Sequence, residues 1–396
     1  MTLGLTNCRI LNKGKLVSAD VLIEEGKIKK IGTFSAADRV IDCKNSILLP
    51  GLIDSHVHMR EPGFDYKEGF VTGSNAALKG GVTTFLDMPN TKPPTVTVAA
   101  LEEKRILAKK CAVNYGFYFG TSVTNIEEIK KAKNIAAVKM YLNETTGNMK
   151  IDNVDVLKAV INYSRLTAFH AEGKTVQTVL DVYNKYMHNG NKLYFCHVAR
   201  KIEIDALKKN DAYVEVAPHH LFLTENDVKR LRGFGSMKPP LAKKSDQAAL
   251  WNAVQQGVVD TIATDHAPHT IEEKKSSVPP YGVPGIETML PLLLDAAHTQ
   301  KLTLTDIQRL CCENPAQIFR MKGKGHIAVG YDADLTLIDP KKKTRISNET
   351  IVSKCGWSPW HGKVLKGSVE MTIVNGMIGY KEGQFFKTQG REVMFE

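Results

Sequence analysis

Over residues 1 to about 48, apolar and polar positions alternate in short runs, as in ADVLIEEGKIKKIG, with Gly26 and Gly32 at the breaks. Side chains of an extended chain alternate between two faces, so this texture predicts small antiparallel strands. It returns from about Gly323, in HIAVGYDADLTLID and GKVLKGSVEMTIVNGMIGYKEG. The two ends therefore read as one β-rich domain, 1–48 together with 323–396. Between them lie eight continuous apolar runs: LLPGLIDSHVH, VTTFLDMP, NYGFYFGTS, IAAVKMYL, LTAFHAE, KLYFCHVA, AYVEVAPHH and VVDTIATDH. Segments with helical periodicity, such as TVAALEEKRILAKK and VDVLKAVINYSR, separate them. This alternation marks a parallel sheet covered by helices, and eight units can close a barrel. A doubly wound sheet stays open on pattern alone. The barrel is preferred because the reactive residues fall at the C-terminal ends of the runs, the face on which barrel sites are assembled. The expected fold is α/β: a (β/α)8 TIM-type barrel over 49–322, with a small β-sandwich domain formed by both chain ends.

Composition narrows the partners. With 53 Lys and Arg against 42 Asp and Glu the net charge is +11. The lysines are scattered, as at Lys29 and Lys30 or Lys341 to Lys343, and do not interleave with aromatics along one stripe. That argues against nucleic acid and leaves a small anionic substrate. The cysteines number 7 and form no CxxC pair, so neither a disulfide framework nor a structural zinc site is expected, and the compartment is read as cytoplasmic. No run approaches the roughly 18 apolar residues that span a bilayer, and the N-terminus has no apolar signal core, so no membrane association is expected.

Chemistry concentrates at the run ends. His56 and His58 in DSHVH are two apart on a strand, so both imidazoles point to one side and can share a metal. His170, His197 and Asp265 end the fifth, sixth and eighth runs and add donors suited to zinc or a similar divalent ion. Lys139 lies inside the apolar run IAAVKMYL, where an ammonium is costly unless paired or chemically altered. It either snorkels to the barrel rim or, as a neutral amine favoured by neighbouring cations, takes up carbon dioxide to give a carbamate that bridges two metals. The second reading is preferred. Cys196 is expected to pack outward from the barrel, with no basic neighbour to activate it. His219, His220 and His266 are left with supporting roles at most.

Eight motifs occur in order: GLIDSHVHMREPG (51–63), DMPNTKP (87–93), VKMYLNET (138–145), AFHAE (168–172), CHVAR (196–200), VAPHHLFLT (216–224), TDHAPHT (264–270) and GVPGIETMLPLLL (282–294). Together they resemble the amidohydrolase superfamily and, within it, the dihydroorotases. The resemblance implies two divalent ions, zinc above all. His56, His58 and Asp265 would hold one, His170 and His197 the other, with carboxylated Lys139 as the bridge. It implies that Arg60, Asn90 and His269 grip a substrate carboxylate. Loop residue Thr145 would contact substrate, as would Gly282 through its main chain, and Lys238 stands where relatives carry arginine or asparagine. The implied reaction is the reversible closure of N-carbamoyl-L-aspartate to L-dihydroorotate and water in pyrimidine biosynthesis, with Asp265 moving the proton. Allantoinases and hydantoinases (dihydropyrimidinases) share the scaffold and metals, but allantoinases usually place asparagine where this chain has Arg60. An inactive dihydroorotase-like scaffold would have lost ligands, and all are present here. Self-association, and docking onto a separate aspartate transcarbamoylase chain, stay open.

Overall fold

The computed structural model describes residues 2–144, 149–186 and 190–396. Each of the eight apolar runs supplies one parallel strand. Leu52–Val57, Val82–Asp87 and Asn114–Phe117 pair in that order. The third run continues as Phe119–Gly120, which pairs with Val138–Tyr141. Leu166–His170, Lys192–Phe195, Ala212–Val216 and Thr261–Ile262 follow. A parallel bridge from His266 to Val57 returns the last run to the first and closes the ring. The strands are apolar throughout because both faces are covered. Leu193 and Phe195 pack with the helices, whereas Tyr194 and Cys196 cluster with Ile53, Leu86 and Ala168 on the opposite face. The helical segments form as their periodicity predicts. Val98–Ala108 begins at Thr97, whose side chain accepts from the Ala100 N–H, and Val154–Tyr163 begins at Asn153, which caps Asp155 and Val156.

The chain ends share one nine-stranded sheet. Ile47–Pro50 runs antiparallel to Leu335–Arg345, with Leu48 opposite Leu337, and this pair joins the N-terminal strands to the C-terminal ones. Thr2–Asn12 runs antiparallel to Lys15–Glu24 but parallel to Arg39–Asp42 and Ile47–Pro50. Alternation in sequence fixes which face a residue takes and not the direction of its neighbour, so the parallel pairs could not be read from it. The last residues cross back to the barrel, where the Val393 N–H donates to the Tyr115 carbonyl at 2.8 Å. Among the described residues, no helix is long and apolar enough to cross a membrane.

Candidate active site

The donors predicted at the run ends converge. His56 Nε2 and His58 Nε2 lie 3.3 and 3.0 Å from the same oxygen, Oδ1 of Asp265. His170 Nδ1 lies 2.9 Å from His197 Nε2, and the ring centroids of His56 and His197 are 5.2 Å apart. Donor atoms of His56, His197 and Asp265 all fall within 4.8 Å of one another. Two of these residues leave the strand alternation to get there: His197 has φ 37° and Asp265 φ 45°, as does Arg60 with φ 66°. A left-handed residue is uncommon outside glycine, and at a strand end it redirects the side chain that regular alternation would have placed elsewhere.

Hydrogen bonds from the far nitrogens fix which lone pairs face inward. His56 Nδ1 meets Oε1 of buried Glu215 at 2.7 Å, and His58 Nδ1 meets Asn90 Oδ1 at 2.6 Å. With Nδ1–H donating in each case, both Nε2 lone pairs are aimed at a carboxylate oxygen. Lone pairs facing one another call for a cation between them. Among the described residues, buried His197 Nδ1 has no hydrogen-bond partner. Burial above all holds His58 down to about 4 and His170 and His197 below the ordinary histidine range, which suits neutral imidazole donors. At His56 burial is outweighed by the Glu215 and Asp265 carboxylates, which raise it to about 10, so its surroundings favour a cation. Burial likewise opposes ionisation of Asp265, but His56 and His58 hold its carboxyl well below the usual range. The residues present fit divalent metal ions.

Lys139 is 0% exposed, in register with Ala168 of the next strand. A fully buried lysine side chain has not snorkelled to the rim. Its Nζ stands 2.8 Å from Cys196 Sγ, which corrects the expectation that Cys196 packs outward. The strand Lys192–Phe195 turns Tyr194 and Cys196 inward together, and the basic neighbour comes from another strand. Cys196, His56 and Glu215 also bring donor atoms within 4.8 Å of one another.

A cleft beside the donors is lined by His58, Arg60, Asn90, Lys238, Asp265, Ala267, Tyr281 and Gly282. Four expected substrate residues, Arg60, Asn90, Lys238 and Gly282, thus meet there. At Gly282, with φ 136°, a Cβ would stand 2.5 Å from the Ala267 carbonyl oxygen, so only glycine allows this approach. His269 does not line the cleft. It lies behind Arg60, with Nε2 3.1 Å from Arg60 Nη2 and 2.9 Å from the Tyr281 carbonyl. Thr145 lies outside the described residues.

Residues 47–379 match the amidohydrolase family. The chain belongs to the amidohydrolase family. This amidohydrolase is 36% identical to the dihydroorotase of Methanosarcina mazei, over 99% of this chain and 97% of that protein. It is 40% identical to the multifunctional protein CAD of Squalus acanthias over 87% of this chain, which corresponds to 15% of that protein. The solved L-hydantoinase (dihydropyrimidinase) from Arthrobacter aurescens superposes with a TM-score of 0.94 at 25% identity, covering 99% of both chains.

Several residues that shape the site of this amidohydrolase escaped the sequence reading. Glu215 holds His56 through Oε1, accepts the His197 N–H at 2.9 Å, and takes the Tyr194 hydroxyl on Oε2 at 2.7 Å. The signal was present, because Glu215 is a charge inside an apolar run, the same oddity that singled out Lys139. Asp54 accepts the Thr264 N–H at 2.9 Å and so ties the first strand to the last. The supporting histidines keep that role: His220 Nε2 lies 3.0 Å from the Pro239 carbonyl, and His266 Nδ1 accepts the Gly285 N–H at 3.1 Å.

Proposed function

We propose that this chain catalyses the reversible closure of N-carbamoyl-L-aspartate to L-dihydroorotate and water. The observation that carries the reading is the cleft in which Arg60, Asn90 and Lys238 stand directly beside Asp265. A ring that bears a carboxylate meets a guanidinium there while its amide reaches the donor cluster. His56, His58 and Asp265 would hold one divalent ion and His170 and His197 the other, zinc being the expected metal, with a carbon dioxide adduct of Lys139 between them. Such ions supply an activated hydroxide and polarise the amide carbonyl. Arg60 grips the substrate carboxylate with a charge-assisted fork, Asn90 completes that end, and His269 supports Arg60 from behind. Asp265, kept ionised by its histidines, takes the proton of the attacking water and returns it to the ring nitrogen; in synthesis it removes a proton from the carbamoyl nitrogen instead. Dihydroorotases among the relatives support this choice. We further propose that 49–322 forms the catalytic unit and 1–48 with 323–396 the second.

The fold likeness to a hydantoinase favours one alternative, opening of a hydantoin or dihydropyrimidine ring. Those substrates need not present a carboxylate, so Arg60 discriminates. Purified protein assayed on dihydroorotate, hydantoin and allantoin, with and without chelator, tests both. Chelator-sensitive turnover of dihydroorotate is expected. Turnover of hydantoin or allantoin alone would reverse the assignment.

A further inference from the structure

Behind Arg60 stands a chain of polar contacts that the reaction itself does not use. Lys67 is 7% exposed. Its Nζ lies 3.1 Å from His269 Nδ1 and 2.9 Å from Glu273 Oε1. On the other edge of the same ring, Nε2 lies 2.9 Å from the Tyr281 carbonyl oxygen and 3.1 Å from Arg60 Nη2. Glu273 Oε2 is 3.6 Å from Nδ1, too far for a hydrogen bond.

A neutral imidazole carries one proton, and these four neighbours decide where. Were it on Nδ1, it would point at an ammonium, and the Nε2 lone pair would face a carbonyl lone pair. With the proton on Nε2, Lys67 donates to Nδ1 and Nε2–H donates to Tyr281. Both clashes become hydrogen bonds, against one donor–donor contact between Nε2–H and the Arg60 Nη2–H at 3.1 Å. Burial, then Arg60 and Lys67, keep the ring from taking a second proton. The Tyr281 acceptor is itself held. Lys274 Nζ donates to the carbonyls on either side of it, Pro280 at 2.8 Å and Gly282 at 2.9 Å.

The consequence falls on Arg60. Its Nε is committed to the Pro268 carbonyl at 3.1 Å. A lone pair on His269 Nε2 would also consume an Nη2 hydrogen, whereas Nε2–H cannot accept one. We infer that Lys67 is a positioning residue: by donating to Nδ1 it fixes His269 in the Nε2–H form, and so leaves the Arg60 guanidinium edge to an acidic substrate. This rests on the reading of the cleft as a carboxylate site, but the tautomer can be observed without any substrate.

The full-length protein labelled with 15N-histidine gives the tautomer directly from long-range proton–nitrogen spectra, with His269→Gln assigning the signal. The expected result is protonated Nε2 and unprotonated Nδ1, with Lys67→Met moving the proton toward Nδ1. That variant should raise KM for N-carbamoyl-L-aspartate about tenfold, the weight of one charged hydrogen bond, with kcat within about twofold. Lys67→Arg, which keeps a cationic donor, should restore both readouts, and it serves as the second test should the methionine variant not fold. Wild-type protein with its proton on Nδ1 would overturn the inference, as would a Lys67→Met protein with unchanged tautomer and KM. Absence of turnover in wild-type protein that still shows Nε2–H would count against the proposed reaction and not against Lys67.

Discussion

Lys104 Nζ stands 2.6 Å from Asp87 Oδ2, and both side chains are shut off from solvent. The same ammonium donates to the Met88 carbonyl at 2.7 Å, and Asp87 Oδ1 accepts the Met59 N–H at 2.7 Å. One ion pair therefore ties the backbone just before Arg60 to the backbone just before Asn90. Replacing Lys104 by Met leaves a buried carboxylate uncompensated, which costs about 3–5 kcal/mol. Denaturant titration should show a loss of that size for Lys104→Met. The double variant Lys104→Met/Asp87→Asn should lose less, because no bare charge remains. Equal losses would mean that the pair contributes only packing.

Arg60 is 3% exposed and lines the cleft. Substituting Met keeps much of its bulk and removes the fork. Loss of a charged hydrogen-bonding partner of the substrate carboxylate should raise KM for dihydroorotate roughly 10- to 100-fold. Steady-state kinetics decide it, and an unchanged KM would place the carboxylate elsewhere.

Asp265 is both a candidate metal ligand and the candidate proton carrier. Asp265→Asn should keep bound metal, measured by elemental analysis, and lose roughly 10²- to 10⁴-fold in kcat, the usual weight of positioned acid–base catalysis. Near-normal turnover would remove Asp265 from the reaction. Chelation of the parent protein should abolish activity, and divalent metal with bicarbonate should restore it. Lys139→Ala should bind less metal under the same conditions.

Asp260 gives a pH dependence of stability. Burial raises its carboxyl from 3.8 to about 6, although it accepts the Val214 N–H. The native state thus holds this proton more tightly than the unfolded chain. Its stabilising share is complete below about pH 4 and is lost as pH rises to about 6. The shift of about two pH units caps the effect near 3 kcal/mol, and partial exposure reduces it. Asp260→Asn, which mimics the protonated acid, should be about 1–2 kcal/mol more stable than the parent at pH 8. That advantage should vanish near pH 4, as melting curves at the two pH values would show.

Much of this protein is decided by local sequence. Burial of a strand on both faces demands an unbroken apolar run, so eight runs with helical spacers already specified a helix-covered parallel sheet. A charged residue inside such a run is conspicuous wherever it falls, which is why Lys139 stood out and why Glu215 could have. The order of His56, His58, His170, His197 and Asp265 at run ends is enough to place them on one face of the barrel. Tertiary structure alone decided the partners. Glu215 meets His56 across 159 residues and Lys67 meets His269 across 202, distances over which periodicity carries no information. It also decided direction: a left-handed φ at His197 and at Asp265 turns each side chain off the strand's alternation, and the neighbouring strand puts Lys139 against Cys196. Pattern fixes which face a residue takes, whereas ring closure fixes what it finds there.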